Sequence, residues 1–383
     1  MKKTVTEAYL KRTISLFRAA EGEAVQSASL LIDVNKRIIE EMSVVFEKPT
    51  KRKIELLKRS VDKKLSVFYR DQWPEELLGA QKEVITKEIV WNTNLIDSVR
   101  TNATSIVAPR SVFLNSAIEA GVSTLTLSTI DAASKKKYQG RLFSQHIKKA
   151  FGNDSKRIQA VLRTGLSEGK NIAQMSRDVR SINSKSIRDV KTITRSFFMH
   201  NASIAKERVY KLNPDVVRSI IWISTLDSRT TPLICGIRDG QEYTVIGKEP
   251  IGHSIPWDAG PGAIHWNCRS SSAPNVEGSS RVSKRPSIGA GENYKRGDNK
   301  NSRGKVKKPI KKNREDGTFK IDIKTSRTKY EGWLKDQSRK NIDYVSDILG
   351  SKAKAQAFRD GTMTLKQLGA QSPVSRVLNR SQI

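Results

Sequence analysis

Apolar residues return at helical spacing through roughly the first 212 positions of this chain, and at Val216 they stop doing so. Leu31, Val34, Ile38, Met42 and Val45 follow one another at intervals of 3, 4, 4 and 3, and Leu57, Val61, Leu65 and Phe68 at 4, 4 and 3. A period near 3.6 places each set on one face of a helix. Pro49-Thr50 separates the two helices, with Thr50 positioned as an N-cap. Trp73-Pro74 is expected to end a helix, because the residue before a proline is pushed out of the helical region. Thr124-Leu125-Thr126-Leu127 alternates as a strand does. Helices are expected again from Arg141 to a break at Gly152-Asn153-Asp154, from Ser155 to Leu166, and from Ile172 to Val179. A longer helix has a face marked by Ile187, Val190, Thr194, Phe197, Asn201 and Ile204 and is closed by Pro214.

The segment Val216–Ile223 is β-branched and strand-like, and 224–275 is full of Gly, Pro, Thr and Asp. A module of this size and composition has little apolar core and usually needs a staple. It holds both cysteines of the chain, Cys235 and Cys268, and two of its four histidines, His253 and His265. His265-Trp266-Asn267-Cys268 supplies an imidazole and a thiol three residues apart. Zinc takes four such ligands in a tetrahedron, and its binding adds folding free energy to a module that cannot hold itself. Cys235, His265 and Cys268 give three ligands of a structural zinc site; Asp227, His253 or a water is the fourth. A catalytic metal would need a general base as well, and nothing selects one among Asp239, Glu242 and Asp258. His146 and His200 read as packing or surface residues, and Trp222 and Trp266 as the small core of the module.

Charge bounds the partners. Seventy Lys and Arg against 39 Asp and Glu leave a formal net charge of +31, which a polyanion neutralises most simply. Residues 48–70 carry nine basic and two acidic side chains, and 281–312 twelve and two. The second run, interleaved with Gly, Ser, Asn and Pro, reads as part of a basic flexible linker over 277–325. Its candidate DNA contacts are Lys284, Arg285, Lys295, Arg296, Arg303, Lys305, Lys307, Lys308, Lys311 and Lys312. Phosphate contacts of this kind give affinity without sequence information. The sequence has no membrane-spanning apolar run, no secretory leader, no Walker-type phosphate loop and no G-x-S-x-G elbow. The cysteines are therefore expected as thiols or metal ligands in a reducing cytoplasm.

Five segments in order resemble the phage minor head proteins of the Mu F type, the head morphogenesis family. They are RTGLSEGKNIAQMSRDVR at 163–180, ITRSFFMHNASIAKERV at 193–209, IIWISTLDSRTTPLIC at 220–235, IHWNCRSSSAP at 264–274, and the stretch from YEGWLKDQ to TLKQL at 330–368. The family's Asp, Cys, His and Cys fall on Asp227, Cys235, His265 and Cys268. The first cysteine comes one residue later than in the family pattern, and Trp266 stands where a small residue or proline is usual. The resemblance implies a low-copy, non-enzymatic virion protein of the capsid interior, made in the host cytoplasm. Its implied partners are the portal or major capsid protein and double-stranded DNA, with no membrane. A metal-dependent nuclease or other enzyme acting through 227–268 is the alternative.

The expected fold class is mostly α (α+β). The expected units are an N-terminal helical region 1–140, a middle helical region 141–215, a small β-containing Cys/His module 216–276, the linker 277–325 and a C-terminal helical segment 326–383.

Overall fold

Thr50 caps as its position predicts: its Oγ1 accepts the Lys53 N–H at 3.3 Å, at the break between α1 (Val5–Glu47) and α2 (Lys51–Val67). The computed structural model describes residues 5–100, 116–168, 170–276, 284–290, 319–325 and 328–370. Four more helices precede the β module: α3 (Trp73–Arg100), α4 (Ser116–Lys135), α5 (Phe143–Ser167) and α6 (Ile172–Leu212). The chain is mostly helical with a small antiparallel sheet, as the periodicity implies. Among the described residues no helix is long and apolar enough to cross a membrane.

Three breaks expected from local signals are absent. Pro74 is the second residue of α3 and directly follows a π turn in which Trp73 N–H donates to Phe68 O, so the helix runs past the proline through that wider turn. This turn, Phe68–Gln72, joins α2 to α3, and the buried Phe68 ring stacks on Trp73 at 5.6 Å. Gly152-Asn153-Asp154 sits inside α5. There the buried Asp154 accepts the Tyr69 hydroxyl, while Asp62 of α2 accepts from Ser155 Oγ and Gln159 Nε2, both at 2.6 Å. The helices expected at 172–179 and 187–204 are one 41-residue helix, α6, about 60 Å long. Its start is a capping box in which Gln174 N donates to Asn171 Oδ1 at 2.9 Å and Asn171 N to Gln174 Oε1 at 3.0 Å. Thr124–Leu127 is helical, within α4, so its alternation is not that of a strand.

Helices α1 and α6 run through two apolar cores. One core joins the C-terminal half of α1 to α2, α5 and the N-terminal half of α6, through Leu31, Ile38, Leu57, Val61, Leu162 and Val179. The other joins the N-terminal half of α1 to α3, the C-terminal half of α6 and the sheet, through Tyr9, Ile89, Val209, Ile220 and Trp222. Both cores draw on residues either side of position 140.

The sheet has the order β3-β2-β1-β4, all antiparallel: β1 (Val217–Ile223), β2 (Glu242–Thr244), β3 (Pro250–Ile251) and β4 (Ser271–Val276). The linker expectation needs correction. Within 277–325, β5 (Lys284–Ala290) and β6 (Phe319–Thr325) pair antiparallel, and Ile288 N donates to Leu226 O at 2.8 Å. Four short helices follow, α7 (Tyr330–Lys340), α8 (Ile342–Leu349), α9 (Lys352–Asp360) and α10 (Leu365–Ala370). They form a third core with Tyr330, Trp333, Leu334, Tyr344 and Phe358, closed against Leu226.

Candidate metal centre

Cys235 is set by a tight turn: its N–H and that of Gly236 both donate to Thr231 O, at 2.9 and 3.0 Å. The second half of the centre is another turn, in which Cys268 N donates to His265 O at 3.1 Å. Closing it requires Asn267 at φ 56°, a left-handed conformation that asparagine tolerates better than most residues. The two turns bring Cys235, His265 and Cys268 together, with their ligand atoms all within 4.8 Å of one another. Cys235 Sγ lies 2.9 Å from His265 Nε2 and 3.8 Å from Cys268 Sγ. Both thiols are buried and His265 is half-buried.

The imidazole is oriented as a ligand should be. Its Nδ1 faces the Trp266 carbonyl oxygen at 2.9 Å, which fixes the proton on Nδ1 and leaves the Nε2 lone pair toward the sulfurs. The loop around it is anchored from two sides. Tyr138 donates its hydroxyl to His265 O at 2.7 Å, and Gln139 Nε2 donates to Ala263 O and Ile264 O at 3.0 and 3.1 Å. From α6, Ser196 Oγ accepts the Asn267 N–H at 3.0 Å.

Burial and the neighbouring sulfur push the Cys235 thiol well above the ordinary range. At Cys268 burial acts the same way, but the hydrogen bond from the Cys235 thiol and the neighbouring imidazole outweigh it and hold that thiol low. Burial disfavours two thiolates side by side, and a cation between them would favour their ionised form. The sulfur–sulfur spacing suits zinc, since thiolates about 2.3 Å from a tetrahedral ion stand about 3.8 Å apart, whereas the 2.9 Å from Cys235 Sγ to His265 Nε2 would have to open to about 3.6 Å around the ion. The three residues can hold a metal ion.

Neither protein candidate for the fourth ligand joins them. Asp227 is a turn residue and an ion-pair partner: its Oδ1 accepts from Arg229 N at 3.0 Å, Thr230 N at 3.2 Å and the Arg269 guanidinium. Burial raises its carboxyl pKa, and Arg269 more than reverses that, so Asp227 is held below the usual range as a charged partner of arginine. His253 uses both nitrogens elsewhere, Nδ1 accepting from Ile255 N at 3.1 Å and Nε2 facing Glu242 O at 2.9 Å.

The three carboxylates weighed as bases are also engaged. Glu242 Oε1 accepts from Ser219 and from Asn275 Nδ2, and Asp258 pairs with Arg238. Asp239 accepts from Ser224 N, Arg285 Nη2 and Tyr330 N, each at 2.7 Å. Composition carried no sign that Asp239 is the pin between the module, β5 and α7.

The same contact corrects the nucleic-acid assignment of Arg285. That guanidinium is buried, pairs with Asp239 and donates to Thr328 O at 2.8 Å, so it has no face to offer a phosphate. Lys284 lies in β5 opposite Thr325. Lys295, Arg296, Arg303, Lys305, Lys307, Lys308, Lys311 and Lys312 lie outside the described residues. His146 and His200 are both buried among aromatic rings around Tyr138. Trp222 is a core residue, edge-on to Trp257 at 5.3 Å, and Trp266 is half-buried against Tyr138.

Comparison with protein-family models, with curated proteins and with solved structures gives no match.

Proposed function

We propose that this protein is a minor head-morphogenesis component of a tailed phage, which associates with the portal or capsid interior and holds DNA without reading its sequence. The observation that carries this reading is the charge: 70 cations against 39 carboxylates is an excess that a folded chain tolerates best beside a polyanion. The ordered series of head-morphogenesis-like segments supports the same reading and gives the polyanion an identity. Cys235, His265 and Cys268 hold a structural zinc ion in this proposal, with a water as the fourth ligand. The ion ties the turn after β1 to the turn before β4.

The test is a titration of duplex DNA with the purified full chain at several salt concentrations, with mass spectrometry of particles from an infected culture. Binding that is indifferent to sequence and weakens steeply with salt is the expected result. Affinity unchanged between low and moderate salt, or absence of the chain from particles, would contradict it. The enzymatic alternative is favoured by one feature, a three-ligand group with no fourth side chain beside it. Plasmid hydrolysis by the purified protein, abolished in His265→Ala, would replace the structural reading.

A further inference from the structure

The strongest concentration of unpaired positive charge among the described residues is a helical face remote in sequence from the 281–312 run. Helix α5 packs between α2 and α6. Its neighbours are fixed by Asp62 of α2 against Ser155 and Gln159, by Arg70 over the Phe151 ring at 5.5 Å, and by Gly165 against Met175 of α6. Residues 48–72, 143–168 and 170–195, which make these three helices and their joins, hold 21 Lys and Arg against seven Asp and Glu.

Helical geometry sorts the cations of each helix onto its exposed side. On α5 the exposed side carries Lys149, Lys156 and Arg163, each seven residues from the next, so that a cation recurs about every 10.5 Å. On α2 the exposed side carries Arg52, Arg59 and Lys63, with Arg70 in the π turn that follows, and on α6 Arg177, Arg180, Lys185 and Arg188. None of these is within ion-pair distance of a carboxylate among the described residues. Some of the acids beside them are turned inward, with Asp154 buried against Tyr69, Asp62 in the α2–α5 seam and Glu41 of α1 taken by Lys64, while Glu55, Asp71, Glu168 and Asp189 are exposed and outnumbered by the cations. Side chains such as Ala160, Ser181 and Ser184 lie between the cations and leave room for a rigid partner to approach.

We infer that this α2–α5–α6 face is the principal docking surface for duplex DNA, ahead of the 281–312 run; the inference rests on the DNA reading proposed above. The rows lie on helices that pack in sequence, α2 on α5 and α5 on α6, and offer only positive charge to a polyanion. The exposed large apolar residues among those described include no Phe, Tyr or Trp. The face therefore provides charge for phosphates and no platform for unstacked bases, which favours a double strand over a single one. Its rows are regular and lack the aromatic anchors of a protein-binding hot spot.

The test uses the full chain and a random-sequence duplex of about 30 base pairs, with affinity measured over a range of salt. One variant replaces Arg59, Lys63, Lys149, Lys156, Arg163 and Arg188 by Gln. A second removes six cations elsewhere: Lys82, Arg208, Lys211, Lys340, Lys352 and Lys366, also to Gln. A third replaces the cations of 295–312 by Gln. Because the six face residues are exposed or at a helix surface, the first variant should melt as the unaltered protein does. It is expected to bind at least about 30-fold more weakly, with the slope of log affinity against log salt reduced by at least about 3, at about 0.9 per lost phosphate contact. The second variant, matched in net charge, should lose less than about threefold.

Equal losses in the first and second variants would mean that net charge acts without a defined face, and the inference fails. A loss confined to the third variant also overturns it while leaving DNA binding intact. Absence of salt-dependent binding by the unaltered protein removes the underlying reading as well. Preference for structured RNA over duplex DNA at equal salt would assign the face to a different partner.

Discussion

The sulfurs of Cys235 and Cys268, 33 residues apart in sequence, stand 3.8 Å apart inside the protein with the Nε2 of His265 beside them. Two turns that share no backbone hydrogen bond of their own are brought together at this point. A metal there contributes to stability only in the folded state, because the unfolded chain does not hold the three ligands in place. Protein purified with zinc present should carry about one equivalent by elemental analysis, and a chelator should lower its melting temperature. An effect of at least about 3 kcal/mol is expected at zinc concentrations a few hundred times the dissociation constant. Cys268→Ser should abolish both the metal and the chelator effect. Full metal content in that variant would remove Cys268 from the site.

The loop that carries His265 is seated against α6 by a close backbone approach. Gly262 has φ +79°, and a Cβ there would lie 2.8 Å from the carbonyl oxygen of Met199. Gly262→Ala therefore combines a left-handed conformation with a clash against a helix backbone that cannot give way. A loss of about 2–4 kcal/mol is expected from these two terms together. Urea unfolding measures it. Gly252, also at positive φ but with nothing within 4 Å of its Cβ position, serves as the comparison, with Ala costing about 1–2 kcal/mol.

What was legible in the sequence is what period and local chemistry determine. The stripe Leu31-Val34-Ile38-Met42 is buried in α1, Thr50 caps α2, and Val217–Ile223 is a strand. The three ligand candidates Cys235, His265 and Cys268 converge because soft ligands are scarce in this chain and both cysteines fall in one loop-rich segment. Asp227 is a candidate fourth ligand in the sequence because an aspartate in a turn looks the same there whether it accepts from its own turn N–H groups and an arginine, as it does, or from a metal. Gly152 weakens a helix locally, yet Tyr69–Asp154 is a contact across 85 positions that no window of sequence contains; at Pro74 the chain is carried by the π turn before it and the Phe68–Trp73 stack. Arg285 looks like a DNA contact in the sequence because its run is basic; its partner Asp239 lies 46 residues upstream.

A buried cation at the other core gives a prediction with a built-in control. Lys206 Nζ lies 3.6 Å from Glu88 Oε2 with side chains 2% and 0% exposed, and it donates to Ser271 Oγ at 2.7 Å. Burial holds the Lys206 pKa below the usual range, against the pull of Glu88. Glu88 also accepts from Arg12 Nε at 2.5 Å. Glu88→Leu leaves Lys206 as a buried amine without its carboxylate and should cost about 3–5 kcal/mol. Lys206→Met leaves Glu88 with Arg12, and should cost about 1–2 kcal/mol. The double variant should be more stable than Glu88→Leu alone. If the two single losses simply add in denaturant unfolding, the pair is not coupled and this account is wrong.

His200 on α6 gives the chain a specific weakness to acid. Its ring is buried against Tyr138 and Phe143, and neither nitrogen has a hydrogen-bond partner. Burial, with a smaller push from the Lys136 ammonium, lowers its pKa from 6.5 to about 3. The unfolded chain therefore binds a proton between these two values that the folded chain refuses. Stability from this residue is complete above pH 6.5 and falls as pH drops toward 3. At pH 5 the loss attributable to it is about 2 kcal/mol. His200→Leu removes the titrating group and keeps an apolar side chain of similar size in the ring of aromatics. Urea unfolding at pH 7.5 and at pH 5 should show a fall between the two that is about 2 kcal/mol smaller in the variant than in the unaltered protein. The same fall in both would show that His200 is protonated in the folded state, or that water reaches its nitrogens, and would locate the acid sensitivity in the carboxylates instead.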